Sequence, residues 1–204
     1  MSDVHVRLHK DILWLLLDRQ PLNSLTTEMV DKLTTALRQA VARSPHLIVL
    51  TGVGEQAFCA GVDLPDDSDK RREELLQAAR NAEIAFDELH IHAIPTVALV
   101  KGSAFGAGCE LAALCDTVIA RDDARFRLPA INAKIFPGVL SIRLPAAIGR
   151  EMTTHYSASG ATLNAQEALR LGLVQQVIPT RRFVLDTEEL LVMLASTGRS
   201  QPTQ

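Results

Sequence analysis

The sequence predicts an α/β fold in which helices cover a sheet, and three observations carry that prediction. Apolar runs of strand length (ILWLLL at 12–17, HLIVLTG at 46–52, TVALV at 96–100, TVIA at 117–120) alternate with segments of helical period. Two of these runs lead straight into glycine loops, TGVGEQAFCAGVDL (51–64) and KGSAFGAGCEL (101–111). Over 204 residues, 47% hydrophobic against 22% charged is enough material for one domain with a sizeable core.

Each element follows in order. Residues 4–8 and 11–17 flank His9-Lys10-Asp11 and read as a starting hairpin. Thr26 or Thr27 caps the next segment, where Val30, Leu33, Leu37 and Val41 recur at helical spacing until Ser44-Pro45 stops it. After the strand at 46–52, PDDSDKRR (65–72) reads as a polar loop, and Leu75, Leu76, Ala79 and Ile84 give helical spacing to about His90. The strand at 96–100 leads to a helix from Gly106 to Leu114, a strand at 117–120 and helices near 139–147 and 149–158. LNAQEALRL (163–171) reads as helix, VQQVIP as a short strand and VLDTEELLVMLAS (184–196) as one amphipathic helix, before a polar tail expected to fray. Trp14 and Phe58 read as core.

A net charge of −3 gives no reason to expect nucleic-acid or membrane-surface binding. The opening MSDVHVRLHK lacks an apolar secretory stretch, and the densest apolar run falls far below the roughly 20 residues that span a bilayer, so the cytoplasm is the expected location. Cys59, Cys109 and Cys115 are odd in number and lack zinc-like spacing. They are expected to be reduced core thiols, with neither a disulfide framework nor a metal site.

The first glycine loop holds a decoy. Gly52-Val53-Gly54 with Ala57 fits a G-x-G-x-x-A dinucleotide fingerprint, but no helix clearly opens at Gly54. A P-loop is excluded because no Gly-Lys-Ser/Thr triplet exists. In the second loop Gly106, Ala107 and Gly108 let another chain or a ligand approach the backbone, and the helix after them starts with unpaired N–H groups. The same small residues serve close helix-to-sheet packing or an oxyanion site, and the two uses are compatible. Glu110 stands alone in GSAFGAGCELAALC (102–115), either as an exposed helix residue or as an acid held for a task.

AFCAGVDL (57–64) followed by VKGSAFGAGCELAALCD (100–116) resembles the enoyl-CoA hydratase/isomerase, or crotonase, superfamily. RQPLNSLTTEMVDKL (19–33), IFPGVLSIRLPAAIGREMTTHY and LNAQEALRLGLVQQVIP are similar to further stretches of that family, so the resemblance covers about residues 10–179. It implies a crotonase-like (ClpP/crotonase) spiral of ββα units over 1–179, with 180–204 forming a short C-terminal helix and a flexible tail. A homotrimer or hexamer is implied too. Only 25 residues follow Pro179, which implies a shortened helical region and a pocket that is more open or closed by a neighbouring subunit.

The resemblance also implies an acyl-CoA thioester substrate, as in fatty acid metabolism, with coenzyme A entering as part of the substrate and no separate cofactor. Its oxyanion hole falls on the backbone N–H groups of Val62 and Ala107. CoA would run past Asn23 to Leu25 and past Ala60, Gly61, Val62, Asp63 and Leu64, with Asp63 bracing the loop by side-chain to backbone hydrogen bonds. Gly106, Pro129 and Ala130 complete the substrate site.

Glu110 matches one of the family's two hydratase glutamates, and Ala130 stands where the second belongs. Gly138 matches the aspartate of dehalogenase-like and naphthoate-synthase-like relatives. From Ala124 to Arg150 there is no acid, while Arg125, Arg127, Lys134, Arg143 and Arg150 are basic. That run either recognises a substrate carboxylate or is a solvated face or subunit contact. The expected activity is isomerisation or slow hydration through Glu110. Hydrolysis or decarboxylation through the oxyanion hole, or noncatalytic acyl-CoA binding, are the alternatives. His90 and His92 read as packing or capping groups.

Overall fold

In the computed structural model, which describes residues 3–63 and 69–197, the chain opens on a hairpin of β1 (Asp3–His9) and β2 (Ile12–Asp18). Lys10 and Asp11 both take positive φ, the conformation a two-residue hairpin turn requires. Helix α1 (Thr27–Arg43) is capped by Thr26, whose side chain accepts the Met29 N–H, and ends at Ser44 in the left-handed region.

The strands β3 (Leu47–Gly52), β5 (Thr96–Val100), β7 (Thr117–Arg121) and β10 (Gln176–Ile178) extend the hairpin into a six-stranded sheet of order β1-β2-β3-β5-β7-β10, parallel from β2 onward. The sheet is apolar on both faces. Leu13, Leu15, Leu17, Ile48, Leu50, Ala98 and Val100 belong to the main core. Ile12, Leu47, Val49, Val97, Leu99 and Ile119 form a second cluster with Phe183, Leu191 and Ala195 of the last helix, α7 (Phe183–Thr197). Burial of both faces is why the strands read as unbroken apolar runs rather than alternating ones. Phe58 is fully buried, whereas Trp14 is only partly buried, against the second cluster.

Helix α2 (Asp69–Ile91) starts inside the stretch expected to be loop, because Asp69 and the charged residues after it make an exposed first turn. Its buried face, Leu75, Ala78, Ala79, Ala82, Ala85, Phe86 and Leu89, is mostly alanine, which lets α1 and α2 pack closely. Helix α3 (Ala107–Leu114) is buried along nearly its whole length. A π-helical turn, Val139–Arg143, runs into α4 (Leu144–Ile148), followed by α5 (Arg150–Ser159) and α6 (Ala165–Leu171). Asn164 and Glu167 close a capping box on α6, so Leu163 and Asn164 are not part of that helix.

The sequence reading missed a second sheet. β4 (Ala57–Cys59), β6 (Ser103–Phe105), β8 (Arg125–Arg127) and β9 (Leu163–Asn164) pair in that order, and none exceeds three residues. β4, β6 and β8 each follow a long strand, β3, β5 and β7 respectively, so each long strand is continued into a short one before the chain turns into its helix. Among the described residues, no helix is long and apolar enough to cross a membrane.

Candidate active site

The two glycine loops meet where β4 and β6 end. Gly108 is seated against the Cys59 carbonyl so closely that a Cβ there would overlap it. Gly61, at φ +119°, faces the Phe105 carbonyl, which would stand 3.6 Å from an added Cβ. On its other side the first loop is stitched to Leu25, whose N–H donates to the Gly61 carbonyl at 2.8 Å and whose carbonyl accepts the Asp63 N–H at 2.9 Å. In such a parallel bridge the amide of the intervening residue, Val62, points away from Leu25. Gly106, at φ +53° and ψ −118°, ends the second loop, and Ala107 begins α3 with an N–H that has no intrahelical acceptor.

Asn23 belongs to the scaffold of this region. It is fully buried; its amide donates to the Val53 and Ala57 carbonyls at 2.9 and 2.8 Å, and its Oδ1 accepts the Arg19 N–H at 3.0 Å. One side chain therefore joins the entry to α1 to two points, Val53 and Ala57, within the first loop. Asn23→Ala is expected to cost about 3 kcal/mol, because it strands buried backbone groups. Urea denaturation at neutral pH measures it, and a cost below about 1 kcal/mol would contradict this role. Among the described residues the partner of the Asp63 carboxylate is the Arg19 guanidinium, a contact the expectation of backbone bracing did not include. That pairing required a contact across 44 positions that no local pattern announces. Leu64 lies outside the described residues.

Glu110 sits one turn into α3 and is fully buried. Its Oε2 accepts the Ile135 N–H at 3.1 Å and its Oε1 the Phe136 N–H at 3.3 Å, so a turn following the basic run's Lys134 covers the acid. Burial pushes the carboxyl up to about 8; the two amides and Lys134 oppose the rise, while Glu83 adds to it. Pro129 is buried and Ala130, next to it, is exposed. Glu83, on α2, was not anticipated. Its only trace in the sequence is an acid placed between Ala79 and Phe86 of a core-facing helical stripe.

Other candidates are accounted for by ordinary packing. Cys59, Cys109 and Cys115 are unpaired and buried, and burial raises all three thiols, Cys59 to about 12. His90 and His92 are exposed, and the His92 ring bonds the Glu88 carbonyl near the end of α2. In the basic run, Arg127 lies 4.8 Å over the Phe105 ring and bonds Thr162, while Arg143 pairs with Asp87 at 2.8 Å. These cations already have partners within the chain, which favours a surface role for them.

The profile of the enoyl-CoA hydratase/isomerase family matches residues 8–203. A 2,3-dehydroadipyl-CoA hydratase of Escherichia coli (strain K12) is 34% identical over 208 residues, covering 99% of this chain and 78% of the relative. A carnitinyl-CoA dehydratase of Proteus mirabilis is 32% identical, covering 97% and 76%. Among solved structures, an enoyl-CoA hydratase/isomerase family protein from Silicibacter pomeroyi superposes with a TM-score of 0.82 at 31% identity, covering 95% of this chain and 84% of that one.

Proposed function

The chain belongs to the enoyl-CoA hydratase/isomerase family, and on that premise we propose that it moves a proton on an enoyl-CoA thioester, with Glu110 as the acid and base. The observation that carries this reading is the contact of the two glycine loops at Cys59 and Gly108, two residues before Glu110. With the Val62 amide turned away from Leu25 and the Ala107 amide at a helix start, the two donors would converge on the thioester oxygen. Two such donors would stabilise an enolate by several kcal/mol, at about 3 for each. CoA would pass along the backbone of 23–25 and 60–63, and the reaction asks for no cofactor beyond it.

A lone carboxylate suits isomerisation, in which one group removes a proton from one carbon and returns it to another. Hydration needs a water aligned and deprotonated while a second proton reaches carbon, and Ala130 offers no acid for that task. Isomerisation, with slow hydration beside it, is therefore preferred over hydrolysis or decarboxylation. A panel of enoyl-CoA thioesters tests the ranking. A shifted double bond marks isomerisation, a hydroxyacyl product marks hydration, and released thiol marks hydrolysis. Tight binding of every thioester with conversion of none would defeat the reading.

The pH dependence follows from the buried carboxyl. A base that loses its proton near pH 8 gives a kcat/KM that rises with pH and levels off above about 8. Rates measured between pH 5 and 10 should show that limb, and a flat profile would place the base elsewhere. Self-association into a trimer or hexamer is part of the same proposal. It is supported by exposed apolar side chains on α7, namely Val184, Leu185 and Val192, and by Ile142 near α4. Buried, unpaired thiols suit a reducing compartment such as the cytoplasm.

A further inference from the structure

Ala130 leaves Glu110 without the expected second acid, yet the structure brings another carboxylate to the same turn. Glu83 is half-buried on α2, and its Oε1 accepts the Gly138 N–H at 2.9 Å. Three amides within four residues are thus held by acids from two helices: Ile135 and Phe136 by Glu110 of α3, and Gly138 by Glu83 of α2. Gly138 provides the room, since a Cβ there would stand 3.0 Å from the Glu83 oxygen. An acid on the core-facing side of a helix gives up hydration that one amide bond only partly replaces. Its position is therefore informative.

We propose that Glu83 is the positioning partner of Glu110, holding the far end of the 135–138 turn on which the Glu110 carboxylate rests and acting on its charge through that turn. The proposal rests on Glu110 being the acid and base of the site. Glu110 is faced by Lys134 from the covering turn, by Glu83 from α2 and by the Cys109 thiol beside it on α3. Glu83 is faced by Asp87 on its own helix and by Arg143 from the π-helical turn. The two cations favour ionised carboxylates, whereas burial and the neighbouring acids oppose them. Two carboxyls that repel across one turn do not ionise independently, so one keeps its proton to higher pH. A proton that Glu110 removes from one carbon is thereby held firmly until it is returned to another carbon of the enolate.

Carboxyl ¹³C NMR of glutamate-labelled protein reads the Glu110 titration directly, with or without turnover. Glu83→Gln keeps an acceptor for the Gly138 amide but removes the charge, and Glu83→Ala removes both. In Glu83→Gln the Glu110 midpoint is expected to fall by about 0.5 pH unit or more. The rising limb of kcat/KM should move with it while KM for the thioester stays within about twofold. In Glu83→Ala the loosened turn should lower kcat by about tenfold or more. An unmoved Glu110 midpoint in Glu83→Gln overturns the proposal. A midpoint that moves in a protein converting no thioester upholds the pairing and overturns the catalytic reading instead.

Discussion

Glutamine at position 110 is expected to lower kcat by about 10²- to 10⁴-fold on any thioester the protein isomerises, because among the described residues no other carboxylate holds the Ile135 and Phe136 amides. The same substitution should change how stability responds to pH. The Glu110 carboxyl ionises at about 8 in the folded protein against an ordinary value of 4.5. A raised value means that the stability of the protonated seat is complete below about 4.5 and is lost as pH rises through about 8. Wild type should therefore lose on the order of a few kcal/mol across that window. Glu110→Gln should lose less, while carrying a penalty of about 1–3 kcal/mol at all pH values for one amide left facing an amide. Denaturation midpoints and kcat from pH 5 to 9 test both halves. Undiminished kcat, or equal losses of stability in the two proteins, would remove Glu110 from its role.

Alanine at Gly108 is expected to be severely damaging, because the added Cβ overlaps the Cys59 carbonyl, a backbone atom with little freedom to retreat. The cost is about 3 kcal/mol or more, at the upper end of what overpacking produces. Where the protein still folds, the two loops separate, and kcat/KM should fall by about 10²-fold, the loss expected for one misplaced oxyanion donor. Gly160→Ala is the control. Gly160 is open around its Cα but has φ +65°, so its alanine variant should lose only about 1 kcal/mol and no activity. Comparable damage at the two positions would mean that backbone conformation, and not the loop contact, decides.

How much of this was legible in the sequence depended on the range of the forces involved. The hairpin, α1 and the long strands β3, β5 and β7 were readable because caps, period and apolar runs are local signals. The strands of the second sheet were not, since three residues such as Arg125-Phe126-Arg127 show too little alternation to be told from loop. Glu110 could be singled out because its neighbours are small and apolar. The amides that cover it come from positions 25 and 26 residues further on, and no spacing rule reaches that far. Glu83 lay hidden for the same reason, since on α2 it looks like one more acid among many. The Arg19 partner of Asp63 was not legible, because Arg19 approaches it only after β2 and the first loop have folded together.

The parallel bridge between Leu25 and Val62 has a consequence for how such a protein can change over generations. In the reading advanced above, the groups that receive the thioester oxygen are main-chain atoms at Val62 and Ala107, and no codon change deletes a main-chain N–H short of proline. Side chains around them are free to drift, altering which acyl groups fit, while the polarising pair is inherited with the fold itself. Reactivity and selectivity are thereby written in different parts of the polypeptide, one in its path and the other in its substituents.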